Sequence, residues 1–150
     1  MKIQRADLSD LDRLADIFGT YRDFYRQPEA PEAVAAFLKE RLQKQDSVII
    51  YASDDEQILG FVQLYKIYTS VGLTPVWLLH DIFVPRGDNK RAIGRALVQA
   101  AQQVSEESGA ARLETSITRD NQAAQTLYQG LGFSRDELSV LFYRGTPRRR

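Results

Sequence analysis

The stretch VWLLHDIFVPRGDNKRAIGRALVQAAQQVSEESG, residues 76–109, decides the fold class. Its first nine residues are nearly all apolar, which is typical of a strand buried on both faces. A polar loop follows, and from Ile93 apolar side chains recur at helical spacing until Gly109, a residue type that often ends a helix. The stretch therefore predicts a strand, a loop and a helix, and the loop after such a strand is a common ligand site.

The flanking sequence extends this unit to a complete α/β fold. Changes between helical and alternating apolar spacing predict further strands and helices. The predicted strands are 2–5, 47–53, 58–70, 76–84, 112–117 and a closing strand 138–144, and the predicted helices are 11–25, 34–42, 93–109 and 121–129. The predicted order is β-α-α-β-β-β-α-β-α-β, and we expect a central, mostly antiparallel sheet with helices on both faces. We expect one domain over residues 1–145 and a disordered basic tail at 146–150.

Composition excludes several kinds of chemistry. The 150 residues include no cysteine and one histidine, so the side chains that build zinc sites, iron–sulfur clusters and thiol nucleophiles are almost wholly missing. Twenty basic and twenty acidic residues give a formal net charge of zero, which argues against a nucleic-acid partner. No stretch has the length and apolarity of a signal peptide or membrane span. We therefore expect a cytoplasmic protein without a metal, nucleic-acid or membrane partner.

The polar loop between the predicted strand 76–84 and the predicted helix 93–109 is, with the start of that helix, the first candidate site. Ala92 and Gly94 carry little or no side chain at a helix start, so backbone N–H groups there can approach an anion such as pyrophosphate. Lys90, Arg91 and Arg95 add positive charge around them. The alternative is that the small residues serve packing or capping alone.

The sequence NQAAQTLYQGLGF, residues 121–133, is the second candidate. Tyr128 follows Asn121 by nearly two helical turns, whereas Leu127 and Leu131 point to a different, apolar side. A tyrosine hydroxyl near a reacting sulfur can act as general acid on a leaving thiolate. The alternative is a tyrosine that packs its ring and satisfies a buried polar group.

Together these two segments resemble the GNAT superfamily of acyl-CoA-dependent N-acyltransferases. Residues of the second segment match the family pattern N-x-x-A-x-x-L-Y-x-x-L-G-F without a break: Asn121, Ala124, Leu127, Tyr128, Leu131, Gly132 and Phe133. In the first segment Val84, Ala92 and Gly94 match the family's coenzyme loop, whereas Asn89 and Lys90 depart from its usual residues. The element order is similar to the family from the first strand to about Tyr143.

The resemblance implies an acetyl-CoA site and a catalytic acid. The strand backbone at Ile82 and Val84 would pair with the pantetheine arm, Tyr128 would be the acid on the coenzyme sulfur, and Asn121 would contact the coenzyme. The pyrophosphate would be held by the loop residues Asn89, Lys90, Arg91, Ala92, Ile93, Gly94 and Arg95.

Residues 60–84 are more similar to the polyamine and thialysine acetyltransferase branch, and to bacterial relatives of histone-acetyltransferase-type enzymes, than to the ribosomal-protein branch. Where the polyamine enzymes carry a glutamate as base, this chain has His80, followed by Asp81. A neutral imidazole can accept a proton near neutral pH. Regular alternation would put His80 and Asp81 on opposite faces, and a β-bulge would change which of them faces the site. His80, Asp81 and water remain alternatives for the base.

The resemblance also predicts an acceptor pocket between the first two helices, the third strand and the closing strand. Aromatic rings favour a cationic amine, and the candidates are Tyr21, Phe24, Tyr25, Tyr65 and Tyr68. We therefore expect acetyl transfer by direct attack of a primary amine, most simply of a polyamine or amino-acid-like small molecule. The alternatives are a protein lysine or N-terminal acetyltransferase and a non-catalytic acyl-CoA-binding module. The closing strand would pair in a homodimer if its edge is uncovered.

Overall fold

A computed structural model describes residues 1–55, 57–85, 87 and 89–147. The chain forms two compact units, Met1–Ser116 and Ile117–Arg150. The predicted basic tail falls partly on residues 148–150, which lie outside the described residues.

The first unit contains most of the regular structure. Its elements are β1 (Lys2–Arg5), a 3₁₀ turn (Leu8–Asp10), α1 (Leu11–Phe24), α2 (Pro31–Lys44), β2 (Ser47–Asp54), β3 (Gln57–Thr69), β4 (Thr74–Phe83), α3 (Lys90–Glu107) and β5 (Leu113–Thr115). Asp7 and Asp10 form a reciprocal capping box at the 3₁₀ turn. Proline at the start of α2 fits a position where no N–H is needed.

The sheet has the order β1-β2-β3-β4-β5. The first four strands pair antiparallel, and β5 pairs parallel to β4. This confirms the predicted mixed, mostly antiparallel sheet of the α/β class.

Helices cover both faces of this sheet. On one face α1 and α2 pack against Ile49, Tyr51 and Phe61, and the Phe18 and Phe61 rings stack 4.1 Å apart. On the other face, a Cβ built on Gly60 would lie 3.3 Å from Leu97 of α3. Because Gly60 and Phe61 are neighbours on one strand, their side-chain directions are opposite. Because helices cover both faces of the sheet, both sides of the central strands are buried.

The second unit contains α4 (Gln122–Gly130). The predicted closing strand at 138–144 is wrong, because the described residues there form no strand and no register pair of the sheet includes them. The β-branched and aromatic residues give this segment strand propensity, but a strand also needs a hydrogen-bonded neighbour, which composition does not specify. Its apolar side chains are exposed instead.

Among the described residues, no helix is long and apolar enough to cross a membrane.

Candidate active site

A β-bulge in β4 determines the geometry of the candidate site. Leu64 of β3 pairs with Leu79, but the next residue, Gln63, pairs with Asp81, so His80 is the extra residue. A bulge of this kind turns two successive side chains towards one face instead of alternating them. His80 and Asp81 therefore lie together on the sheet face that α1 covers, and His80 Nδ1 is 3.5 Å from Asp81 Oδ2.

Two hydrogen bonds fix the Asp81 carboxylate. The Tyr21 hydroxyl of α1 donates to Oδ1 at 3.0 Å, and the Gln63 amide donates to Oδ2 at 3.1 Å. The Ser47 hydroxyl donates in turn to Gln63 Oε1 at 2.8 Å. Gln63 is 1% exposed, so its buried amide has a donor and an acceptor partner, as buried polar groups require. The carboxylate is thus held in one orientation from two sides.

Burial raises the pKa of the Tyr21 hydroxyl, and the charge of Asp81 and the hydrogen bond to it raise this pKa further. Burial, followed by the Asp81 charge, also raises the pKa of Tyr65 to about 12. Both phenols therefore stay protonated at neutral pH, and Tyr21 acts as a hydrogen-bond donor to Asp81.

His80 is the accessible member of the pair. Its side chain is 67% exposed, compared with 16% for that of Asp81. The Tyr65 ring meets the imidazole edge-on, with 5.5 Å between the ring centroids. The imidazole therefore lies between an aromatic ring and a carboxylate, while most of its surface remains open to a reactant.

Aromatic side chains surround the Tyr21 end of this cluster. The Tyr21 ring lies 5.3 Å from both Tyr25 and Phe83, and Phe24 lies 6.1 Å from Phe83. Phe24 and Tyr25 are exposed at 69% and 58%. Tyr68 does not share these contacts: its ring contacts Lys66 further along β3. Of the five predicted acceptor residues, Tyr21 and Tyr65 therefore contact Asp81 and His80 directly. Tyr25 and Phe24 lie against Tyr21 and Phe83, and Tyr68 lies against Lys66.

Only part of the edge of β4 that faces β5 is paired with β5. Its pairs with β5 are Trp77↔Leu113, Leu78↔Glu114 and Leu79↔Thr115, and among the described residues none extends beyond Leu79. From His80 onwards, the polar backbone groups on that edge have no β5 partner. Of the two residues predicted to pair with a pantetheine arm, Ile82 lies on this part of β4 and Val84 follows directly after its last residue, Phe83.

The predicted coenzyme loop leads from this edge into α3. Asn89 is the residue before the helix, and its side chain makes no capping hydrogen bond. A helix start leaves N–H groups without helical partners, so an uncapped start suits an anion. Lys90, Arg91, Ala92 and Arg95 are exposed, whereas Ile93 and Gly94 are buried. Arg86 and Asp88 of the same loop lie outside the described residues.

The second unit carries the other two predicted residues. The Asn121 side chain accepts a hydrogen bond from the Ala124 N–H and so caps α4. Tyr128 is 5% exposed, and its ring meets Phe133 edge-on at 5.1 Å. Leu127 and Leu131 are only half-buried, so the most buried side of the helix is that of Tyr128 rather than the predicted leucine side.

Sequence reasoning missed Gln63, Ser47 and Phe83. Gln63 had a signal, because it is a polar residue inside the apolar strand sequence GFVQLY, residues 60–65. A polar residue in a buried strand requires a partner, and the nearest candidate on the neighbouring strand is Asp81. Ser47 and Phe83 carried no comparable signal.

Comparison with known proteins places this geometry in a family. The model of the Acetyltransferase (GNAT) family matches residues 13–133. The chain belongs to the GNAT family. It is 36% identical to the uncharacterized N-acetyltransferase YhfO of Bacillus subtilis over 98% of this chain and 99% of that protein.

Solved structures agree with this assignment. The crystal structure of a probable acetyltransferase superimposes with a TM-score of 0.92 at 36% identity, over 99% of this chain and 100% of that one. An aminoglycoside acetyltransferase from an uncultured soil metagenomic sample superimposes with a TM-score of 0.84 at 19% identity, over 97% and 96% of the two chains. The second likeness shows the fold alone. This GNAT protein is thus an N-acetyltransferase, and its family implies an acyl-CoA donor.

Proposed function

We propose that this GNAT protein transfers an acetyl group from acetyl-CoA to a primary amine of a small molecule, of the polyamine or amino-acid-like class. The bulge in β4 carries the proposal, because it brings a proton acceptor, a carboxylate and an unpaired strand edge to one place.

The residues present fit an acyl-CoA donor. The outer edge of β4 beyond Leu79 has backbone groups free of β5, and the uncapped start of α3 provides N–H groups for a pyrophosphate. Exposed Lys90, Arg91 and Arg95 supply positive charge there. We assign the pantetheine arm to the edge at Ile82 and Val84 and the pyrophosphate to Asn89–Arg95, which includes the buried Ile93 and Gly94. When bound, the donor supplies an activated acyl group as a thioester.

We assign to His80 the role of the base that accepts the proton of the amine. A candidate base must be reachable by the reacting amine, and the His80 side chain is 67% exposed, whereas that of Asp81 is 16% exposed. Asp81, 3.5 Å from His80 Nδ1, would stabilise the imidazolium formed when His80 accepts the proton. Tyr21 and Gln63 hold Asp81 for that purpose.

The aromatic cluster supports an amine acceptor. The hydroxyl of half-buried Tyr21 donates to the Asp81 carboxylate, and exposed Tyr25 and Phe24 lie against Tyr21 and Phe83. Aromatic faces and a carboxylate both attract a protonated amine and hold it where His80 can deprotonate it. Tyr128 is the proposed acid that returns a proton to the coenzyme sulfur, an assignment supported by the unbroken motif at 121–133. Asn121 remains a proposed coenzyme contact besides its capping role.

Release of coenzyme A, read with a thiol-reactive dye, tests the proposal. The chain has no cysteine, so the protein itself gives no background. Acetyl-CoA is offered against polyamines, amino acids, aminoglycosides and lysine peptides. We expect release with a small amine, and a loss of about 100-fold in kcat in Tyr128→Phe with unchanged affinity for acetyl-CoA. Release with lysine peptides alone would overturn the small-molecule acceptor and favour a protein substrate.

A further inference from the structure

The strand β5 ends earlier than its sequence predicts. The residue pattern predicts a strand over 112–117, and Ile117 is a residue type with high strand propensity. In the structure β5 ends at Thr115, which pairs with Leu79, the last residue of β4 that has a β5 partner among the described residues. Strand propensity therefore does not explain why the two strands separate at this point.

A hydrogen bond from the Thr115 side chain marks the place of separation. The Thr115 hydroxyl donates to the Leu79 carbonyl oxygen at 3.0 Å. Nearer the start of the strand pair, a backbone group makes the corresponding bond, because the Trp77 N–H donates to the Arg112 carbonyl oxygen at 3.1 Å. The last pair of β4 and β5 thus carries a bond from a side chain to the backbone.

A bond of this kind can end a strand pair. A partly buried carbonyl group needs a hydrogen-bond donor, and in a parallel pair the usual donor is a backbone N–H of the neighbouring strand. Serine and threonine hydroxyls compete with the backbone for such bonds. Because the Thr115 hydroxyl satisfies the Leu79 carbonyl, the chain after Thr115 need not stay beside β4. The branched side chain of threonine has a restricted χ1 angle, which helps to hold the hydroxyl in place.

We propose that Thr115 is a positioning residue, which ends the β4–β5 pairing at Leu79 and thereby keeps the edge of β4 from His80 onwards open for the acyl-CoA donor. Its hydroxyl is used by the Leu79 carbonyl, so Thr115 acts through the backbone of β4. His80, the extra residue of the bulge, directly follows Leu79, so the open edge and the candidate site begin at the same point. This inference rests on the proposed donor site at that edge.

Two substitutions of Thr115 separate its hydroxyl from its shape. Thr115→Val keeps the branched shape and removes the hydroxyl, whereas Thr115→Ser keeps the hydroxyl. Thr74→Val is the matched control, because the Thr74 hydroxyl donates to the Gly109 carbonyl oxygen at 3.1 Å, and Thr74 lies at the other end of β4. We expect the dissociation constant and KM for acetyl-CoA to rise about tenfold in Thr115→Val and to change by less than about twofold in the other two variants. The value of kcat should stay near that of the wild type in all three.

Hydrogen exchange without acetyl-CoA gives a result that a loss of stability alone would not produce. In Thr115→Val the Leu79 carbonyl loses its side-chain donor, so we expect the backbone of Ser116 to take its place and the pairing to extend along β4. The peptide covering residues 80–84 should then exchange more slowly than in the wild type. Destabilisation alone would make the same peptide exchange faster.

The outcomes distinguish this role of Thr115 from the donor site itself. An unchanged affinity for acetyl-CoA in Thr115→Val, or equal losses in Thr115→Val and Thr115→Ser, would overturn the role of the hydroxyl while the donor site stands. Faster exchange at residues 80–84 in Thr115→Val would overturn it as well, in favour of a merely structural threonine. A wild type that binds no acetyl-CoA would overturn the proposed function, and with it the purpose of the open edge.

Discussion

The two halves of β4 have different neighbours and different tasks. From Trp77 to Leu79 the strand pairs with both β3 and β5, and Trp77 and Leu79 are buried at 7% and 3% exposure. From His80 to Phe83 it pairs with β3 alone among the described residues, and it contains the bulge. The first half of this continuous strand thus contributes to the core, and we propose that its second half contributes to the reaction. The comparison shows that a strand edge becomes available for a ligand where the strand extends beyond the end of its neighbour.

The paired half should carry stability. Leu79→Ala should lower the free energy of unfolding by about 3 kcal/mol, because it leaves a cavity among buried neighbours. Urea denaturation measures this loss, and activity per folded molecule should stay near that of the wild type. Ile82→Ala, the matched truncation at a half-buried position in the other half, should cost clearly less. Equal losses in the two variants would contradict the division of β4.

The bulged half should carry the chemistry. His80→Gln should lower kcat by about 100-fold and remove the acidic limb of the pH–rate profile, because the proposed proton acceptor is lost. Asp81→Asn should lower kcat less than His80→Gln, because the carboxylate 3.5 Å from His80 Nδ1 is lost while the proposed proton acceptor remains. Steady-state kinetics across pH measure both. A limb that survives in His80→Gln but disappears in Asp81→Asn would make Asp81 the base.

Gly60 of β3 tests the role of the second half of β4, because it lies between the end of that half and α3. A Cβ there would lie 2.9 Å from the Phe83 carbonyl oxygen and 3.0 Å from Val84 Cγ2, so the end of β4 must move in Gly60→Ala. We expect KM for acetyl-CoA to rise about tenfold, which corresponds to about 1.4 kcal/mol. Gly19→Ala is the matched control: it has nothing within 4 Å and lies inside α1, where alanine should stabilise by about 1 kcal/mol. An unchanged KM in Gly60→Ala would show that the end of β4 takes no part in binding acetyl-CoA.

The smallest expected effect concerns Tyr65 in alkali. Its pKa is raised by burial and by the Asp81 charge to about 12 in the folded chain, whereas an unfolded tyrosine titrates near 10. The stabilisation that goes with this raised pKa is fully present below pH of about 10 and is lost as pH rises towards 12. Tyr65→Phe should therefore lose less stability than the wild type over that interval. Urea denaturation at several pH values measures this difference, and equal slopes would contradict the assignment.

The sequence predicted the architecture well because apolar spacing reports burial directly. The strands at 47–53, 58–70 and 76–84 and the helices at 34–42 and 93–109 all correspond to elements of the structure. The closing strand at 138–144 failed because propensity does not supply a hydrogen-bonded neighbour. Where a strand pairs is a property of the whole sheet.

The site was only partly predictable for the same reason. The sequence predicted His80 and Asp81 as candidates and indicated that a β-bulge would change which of them faces the site. Which face of the sheet each side chain lies on depends on the pairing with Gln63 and Leu64 of β3. The support of Asp81 by Tyr21 joins residues 60 positions apart, which no local pattern encodes. Tyr65 contacts His80, whereas Tyr68 on the same strand contacts Lys66, and Tyr68 stays a predicted acceptor residue.

Hydrogen exchange with and without acetyl-CoA tests the central claim most directly. If the unpaired half of β4 receives the donor, peptides covering residues 80–84 and the first turn of α3 should exchange more slowly when acetyl-CoA saturates the protein. Peptides covering 77–79, whose backbone already pairs on both sides, should change little. Saturation without slower exchange at residues 80–84 would contradict the account.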